Sequence, residues 1–527
     1  MGSGDVLEAT IGSFGRFQCR IFILVALLKV PISWFQLGIV FMAPPTEYWC
    51  RQPEDFKFNL STEEWRSFIK INETQNPCLM ANVEYKNFFN NTLTACKWGY
   101  DYDKKIIESS MISEWNLVCG DEHLVNLVQI IFMVGVLLGG ILFGILSDHQ
   151  GRKKTLIICI LIQSTLGLIS SWIPWFTSFL IVRFFLGLSN GGITVTSFVM
   201  CMEIVSGKFR SIIPILYQIP FGLGNSLMAL FAYFIRNWRQ LQLVLSSFSL
   251  VFVSYYWFLS ESPRWLIATN QKKRAFEVLE KALRFNRIEN KDLGKVLEKF
   301  VKKDDKKDFR IIFRERSLRK VTFIMSFEWF FLGNIFYSFT QYLGVIGNNV
   351  FINVSISGLI TIPASILCLF ILKKLGRKLT MTISQLTMSL IFFALIFENW
   401  FPFIWISVIL AALGIITLTM STSVLFLYTG ELYPTIVRNS SVGFCSMLAK
   451  VGAIISPFIY STKDYYKFLP LIIMAAMAIL NVLILIPLPE TLEMDLTDNL
   501  KDLEMRTINE EGIENERFLE NNQRNKD

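Results

Sequence analysis

Residues 144–153 read Gly144-Ile-Leu-Ser-Asp148-His149-Gln-Gly151-Arg152-Lys153, a charged, glycine-bearing turn at the end of a long apolar run. A shorter copy, Gly376-Arg377-Lys378, stands 225 residues further on. Two more pairs keep almost the same offset. Glu203 followed by Arg210 matches Glu431 followed by Arg438 at 228 residues, and Glu261 of Ser260-Glu261-Ser262-Pro263-Arg264 matches Glu490 of Pro489-Glu490-Thr491 at 229. Matched pairs at near-constant spacing are the mark of an internal duplication. Glycine in a tight turn lets two helices approach, and Arg and Lys there can hold helix carbonyl ends and neighbouring carboxylates. Asp148, Arg152, Glu203, Arg210, Glu261, Arg264, Arg377, Glu431 and Arg438 are therefore the candidate gating residues, forming ion-pair latches that close in one conformer and open in another. A plainer role, anchoring helix ends at the membrane surface, would leave the same fold.

The sequence between these turns is apolar. Hydrophobic residues fill 52% of 527 positions, charged ones only 18%, and the mean hydropathy is +0.44. A soluble chain carries about 25% charged residues. Twelve runs, near 20–43, 124–147, 155–173, 178–203, 212–235, 241–259, 320–342, 351–372, 379–397, 402–428, 440–460 and 468–487, approach or exceed the length of helix, about 20 residues, that crosses a hydrocarbon core. Spanning backbone must satisfy its own hydrogen bonds, and none of these runs alternates with period two, so they are predicted helices. The expected fold is an all-α integral membrane protein with twelve transmembrane helices in two pseudo-symmetric six-helix bundles. The predicted divisions are an N-terminal half over 1–259, a linker with amphipathic helices over 260–319, a C-terminal half over 320–489, and a tail over 490–527.

Charge orients the spans. Lys and Arg follow the second, fourth, sixth and eighth, and 19 of the 51 basic residues fall within 264–320. The loops after the third, seventh and ninth hold none, so both termini are expected in the cytoplasm. The net charge of +8 thus reflects basic loops, and nucleic acid is not an expected partner. The first apolar run is too long for a cleavable signal peptide. The long loop 44–123 is expected outside the cell. It carries Cys50, Cys78, Cys96 and Cys119, which in an oxidising compartment allow two disulfides in any of three connectivities, and sequons at Asn59, Asn72 and Asn90. The other five cysteines fit packing positions. There is no metal-ligand spacing, nucleophile–base pairing or phosphate loop, and only two histidines, His123 and His149. Neither an enzyme nor a bound metal or cofactor is expected.

Gly-x-x-x-Asp-x-x-Gly-Arg-Lys at 144–153, Glu-Ser-Pro-Arg-Trp-Leu at 261–266, Tyr-Thr-Gly-Glu-Leu-Tyr-Pro-Thr-x-x-Arg at 428–438 and the cysteine-bearing first loop together resemble solute carrier family 22. These are the organic cation, anion and carnitine-type transporters of the major facilitator superfamily. The likeness covers residues 1–495, with His149 and Lys373 departing from the usual turn residues. It implies a multi-pass plasma-membrane carrier for small organic ions working by alternating access. Lys450, about ten residues into the eleventh run, sits near the midplane, where an ionisable group is functional by default. It matches the position that is Asp in the family's cation transporters and Arg in its anion and carnitine-type ones. The resemblance therefore favours an organic anion or carboxylate-bearing zwitterion. An organic cation transporter is the alternative, and a sugar porter-like carrier a more distant one. A receptor or channel fits the duplication poorly. Gln218, Phe221, Trp329, Phe336, Tyr337 and Ser423 carry over as further substrate-binding candidates. Lys29 is a second intramembrane cation, and Glu328 is the obvious acid to neutralise Lys450.

Overall fold

The computed structural model describes residues 10–52, 61–69, 77–84, 87–207, 209–288, 311–343, 349–397, 404–433 and 437–492. The twelve expected membrane helices are present. The first span is broken at Leu28 into Arg16–Leu27 and Lys29–Leu37. His123–Gln150, Arg152–Ser170 and Phe176–Ile204 form the second to fourth spans. The fifth is also broken, into Phe209–Leu216 and Ile219–Phe234, beside Pro214 and Pro220, whose rings and missing N–H groups interrupt helical bonding. The sixth, Trp238–Leu250, tightens into a 3-10 turn at Val251–Ser254. Arg316–Leu343, Val350–Leu375, Arg377–Ile396, Ile404–Leu432, Arg438–Ser461 and Leu469–Leu485 complete the twelve. Among the described residues, ten helices are long and apolar enough to cross a bilayer on those grounds alone, and Leu469–Leu485 is a shorter apolar one.

The apolar side chains form one core within each set of six. One gathers residues from Ile11 to Leu283, the other mainly residues from Ile312 to Leu488. A third cluster, in which Trp34, Phe41 and Met228 meet Tyr337, Phe351 and Ala453, joins the two sets.

The duplicated turns explain themselves chemically. Gly151 (φ +104°) and Gly376 (φ +80°) adopt backbone conformations that side chains resist, and a Cβ on either would run into the carboxylate of Glu261 or Glu490. Those carboxylates sit on the N-termini of the third and ninth spans. Glu261 Oε1 accepts from Arg152 N at 2.9 Å and Lys153 N at 3.1 Å. Glu490 accepts from Arg377 N at 2.7 Å and Lys378 N at 3.0 Å. An anion at a helix N-terminus satisfies free N–H groups and opposes the helix dipole. We call this end the motif face, and the opposite end, bearing the described part of the loop 44–122, the loop face.

The loop contains short antiparallel strands that the all-helical expectation did not include: β1, Tyr48–Cys50, pairs with β4, Tyr100–Tyr102, and β2, Leu79–Glu84, with β3, Asn87–Ala95. Disulfides Cys50–Cys96 and Cys78–Cys119 brace them. The other five cysteines are free; four are buried. Asn90 lies in β3, whereas Asn59 and Asn72 fall outside the described residues. In the expected linker, Pro263–Ala268 and Lys272–Asn286 are helical and pack on the motif face of the first six spans. Residues 289–310 and 493–527 lie outside the described residues.

Candidate functional site

A cavity of about 480 Å³ lies between the two sets of six helices. It runs from the motif face, where Arg210, Arg264, Glu431 and Leu492 line it, to the middle of the molecule, where Gln36 and Tyr337 end it. Six of the seven expected substrate contacts, Gln218, Phe221, Trp329, Phe336, Tyr337 and Lys450, line this space. Ser423 does not: it is fully buried, and its Oγ has no hydrogen bond.

Glu203 and Glu431 line the cavity at the motif face, whereas toward its middle the charged lining residues are the lysines Lys29 and Lys450. Lys450 Nζ donates to Tyr337 Oη at 3.1 Å, and the ammonium stands 5.4 Å from that ring's centroid. Glu328 is not its partner; that carboxylate accepts from Gln385 Nε2 at 3.0 Å inside the C-terminal bundle. Lys29 lines the same cavity, with Nζ 4.6 Å from the centroid of Tyr217 and 6.0 Å from that of Phe221. Aromatic faces hold cations through the ring quadrupole and leave the positive charge unneutralised. Among the described residues neither ammonium forms an ion pair with a carboxylate. Phe221 and Phe336 add tilted rings 6.1 Å apart, and Trp329 Nε1 donates to Thr429 Oγ1 at 3.0 Å.

Sequence reasoning missed the polar chain that continues from Lys450. Tyr337 Oη donates to Gln36 Oε1 at 2.8 Å, Gln36 Nε2 to Asn190 Oδ1 at 2.8 Å, and Asn190 Nδ2 to Gln163 Oε1 at 3.1 Å. The available signal was the presence of amide side chains within otherwise apolar runs.

Beyond Gln36 and Tyr337 the loop face is packed shut. Phe41 stacks on Phe351 at 5.6 Å, Asn225 Nδ2 donates to Ser357 Oγ at 3.1 Å, and Asn126 Nδ2 to Ser461 Oγ at 2.7 Å. Each of these contacts joins the first six spans to the last six.

At the motif face the expected latch residues gather into two similar clusters. Arg152 Nη2 meets Glu203 Oε1 at 2.8 Å and its Nη1 meets Asp148 Oδ1 at 2.7 Å. Arg377 Nη2 meets Glu431 Oε1 at 2.9 Å, and Thr491 Oγ1 donates to Glu431 Oε2 at 2.6 Å. Each latch closes within one half and does not bridge the two. No second carboxylate matches Asp148 in the later cluster, where Lys373 stands in its place. Arg264 Nη2 donates to Ser206 Oγ at 3.1 Å. Arg438 begins the eleventh span, and its side chain lies outside what is described.

The Major Facilitator Superfamily family model matches residues 102–457. The chain is 31% identical to solute carrier family 22 member 3 of Rattus norvegicus over 523 residues, covering 94% of each. The chain belongs to solute carrier family 22. It is 30% identical to the organic cation transporter protein of Drosophila melanogaster over 524 residues (95% of this chain, 94% of that one). To organic anion transporter 3 of Oryctolagus cuniculus it is 31% identical over 520 (96% and 94%). A structure of the xylose transporter XylE from E. coli, in a partially occluded inward open conformation, shares the fold with a TM-score of 0.63 at 16% identity, covering 91% of this chain and all of that one. As a member of solute carrier family 22, the chain is a multi-pass membrane transporter of organic ions and not an enzyme.

Proposed function

We propose that this transporter carries organic anions or carboxylate-bearing zwitterions across the plasma membrane by alternating access, with both termini in the cytoplasm. One observation carries the reading: Lys29 and Lys450 both line the central cavity, and among the described residues neither is neutralised by a carboxylate. A desolvated ammonium without a counter-ion attracts an anion and repels an amine. The aromatic walls of Phe221, Phe336 and Tyr337 supply flat apolar contact for the organic body of such a solute.

In this reading residues 1–259 and 320–489 are the two moving halves, with 260–319 as linker and 490–527 as tail. The conformer described here faces the cytoplasm, and the Arg152–Glu203 and Arg377–Glu431 clusters govern the gate on that side. The loop 44–123 is extracellular and glycosylated at Asn59, Asn72 and Asn90.

The test is uptake of labelled para-aminohippurate, carnitine and tetraethylammonium by cells expressing wild type or Lys450→Asp. The proposal expects saturable, trans-stimulated uptake of the carboxylates by wild type, and loss of that uptake in the variant. Wild-type uptake of tetraethylammonium alone would establish the cation reading instead.

A further inference from the structure

The seventh span carries a buried acid that the cavity does not use. Glu328 is fully buried in the C-terminal bundle, one residue behind Trp329 in the cavity wall. Its hydrogen bond is with Gln385 of the ninth span, itself fully buried: Gln385 Nε2 donates to Glu328 Oε2 at 3.0 Å. Two atoms of the pair have no partner among the described residues, Glu328 Oε1 and Gln385 Oε1.

Both orphans are acceptors in the ionised pair. A carboxylate offers only acceptors, and an amide oxygen is another. A single proton on Glu328 Oε1 changes the count. The acid then donates one O–H and accepts one N–H, the amide does the reverse, and both orphans are satisfied by one reciprocal acid–amide pair. The alternative, a buried carboxylate with one neutral hydrogen bond and no cation, is the arrangement proteins escape by neutralising the group.

Among the described residues, no neighbouring charge rescues the ionised form. On the helices packed around Glu328, the tenth span presents Tyr428, whose hydroxyl donates to Pro489 O at 2.5 Å. The eleventh presents Cys445, in contact with Tyr433 Oη at 3.8 Å, and Lys450, whose ammonium is given to Tyr337. The eighth carries the buried thiol of Cys368 and, in its last turn, Lys373 and Lys374. The described part of the ninth has no acid or base near Gln385, its Arg377 being paired with Glu431, and Leu469–Leu485 of the twelfth has no titratable side chain.

We propose that Glu328 is a proton-binding site, neutral and closed onto Gln385 in the conformer described here, and that transport exchanges this proton with solvent. The seventh and tenth spans that enclose the acid also form the cavity wall through Trp329 and Phe426, whose rings meet at 4.4 Å. A rearrangement of that wall during alternating access opens the acid–amide pair to water, where the carboxyl ionises and the proton leaves to solvent. Closure takes one proton back.

The test of the protonated state uses the full-length purified protein in lipid and needs no transported solute, so its failure is distinct from failure of the anion reading, on which only the exchange step rests. Infrared spectroscopy in heavy water at neutral pH should show a carboxylic acid C=O band in wild type. Glu328→Gln, which is nearly isosteric, should lose that band. Gln385→Leu should keep it and move it to higher frequency, because the carbonyl no longer accepts an N–H. Absence of the band from wild type overturns the proposal without any variant, as does its persistence in Glu328→Gln. Uptake of para-aminohippurate in vesicles should depend on the pH gradient in wild type and lose that dependence in Glu328→Gln. A gradient dependence equal in both would overturn the exchange step.

Discussion

Tyr337 donates its hydroxyl to Gln36 at 2.8 Å, and that bond ties the seventh span to the first at the closed end of the cavity. Tyr337 also receives the ammonium of Lys450, so a residue in contact with the cavity's charge is also one of those that tie the halves together. On the proposed anion reading, a solute carboxylate arriving at Lys450 competes for the donor that Tyr337 now accepts from. Binding and the contact between halves thereby share one phenol, which is a physical route from occupancy to conformation.

Tyr337→Phe keeps the ring and removes that link. A typical hydrogen bond contributes about 1 kcal/mol, or about fivefold in an equilibrium. The bond exists in the conformer open at the motif face, so the variant should shift the equilibrium away from that conformer by about this factor. A cysteine placed at Gln218, which lines the cavity, reports it. With half-buried Cys19 replaced by Ser, impermeant maleimide added on the motif-face side should label the variant more slowly. An unchanged labelling rate would rule out a conformational role for the bond.

Gly151→Ala and Gly376→Ala should both destabilise, for two additive reasons. Each position has a positive φ, and each added methyl would meet a carboxylate, Glu261 Oε2 at 2.5 Å or the Glu490 carboxyl at 2.7 Å. Backbone strain of this kind costs on the order of 1–3 kcal/mol before the clash is counted. Thermal unfolding in detergent should show a lowered midpoint for each variant, whereas Gly430→Ala, where no atom stands within 4 Å of the new methyl, should stay near wild type.

The paired turns are legible in the sequence because their chemistry is local: a glycine, a base and a helix N-terminus need only short spacing. The partner of Lys450 is not local. Glu328 is the nearest acid by reading along the seventh span, yet Glu328 and Tyr337 are nine residues apart, two and a half helical turns, and so face opposite sides. Lys450 lies on the cavity side with Tyr337, and Glu328 is turned into the bundle. Ser423 is lost for the same reason, since Thr419, Thr422 and Phe426 occupy the cavity face of the tenth span. Helical phase relative to a partner half is a property of the packing, and a hydropathy pattern that is apolar on every side does not reveal it. The disulfide pairing was equally hidden: the strands β1 and β4 that place Cys50 beside Cys96 depend on pairing across half the loop.

The two latches should differ in strength. Arg152 holds Glu203, Asp148 and the carbonyl of Ser147 at 2.7 Å, whereas Arg377 holds Glu431 without a second carboxylate. Removing one member of a buried pair leaves an uncompensated charge and costs up to about 3–5 kcal/mol. Arg152→Ala should therefore lower the thermal midpoint more than Arg377→Ala, in part because Glu431 retains the hydroxyl of Thr491. Equal losses would mean that Asp148 and Ser147 add nothing.

Non-reducing peptide mapping should recover Cys50 joined to Cys96 and Cys78 joined to Cys119. Replacing one pair by Ser should destabilise the loop by about 2–4 kcal/mol while sparing the bundles. Faster proteolysis within 44–122, with unchanged helix content by circular dichroism, is the expected reading. Any other connectivity in the map would contradict the loop's strand pairing.

Gly358 of the eighth span and Gly222 of the fifth meet across the two halves, and a Cβ on Gly222 would stand 2.6 Å from the carbonyl oxygen of Gly358. No side chain fits there while the helices keep this distance. The contact lies beside Asn225–Ser357 at 3.1 Å and Ser226 Oγ–Ser355 O at 2.8 Å, on the closed side of the cavity. Gly358→Leu should act as a wedge. Each half can fold as before, because the leucine points between the halves and not into either core, but the conformer open at the motif face should be disfavoured. Maleimide labelling of the cysteine at 218 from that face should then slow further than in Tyr337→Phe, uptake should be lost, and the thermal midpoint should stay within a few degrees of wild type. Labelling at the wild-type rate would mean that the fifth and eighth spans do not have to touch for the cavity to open this way.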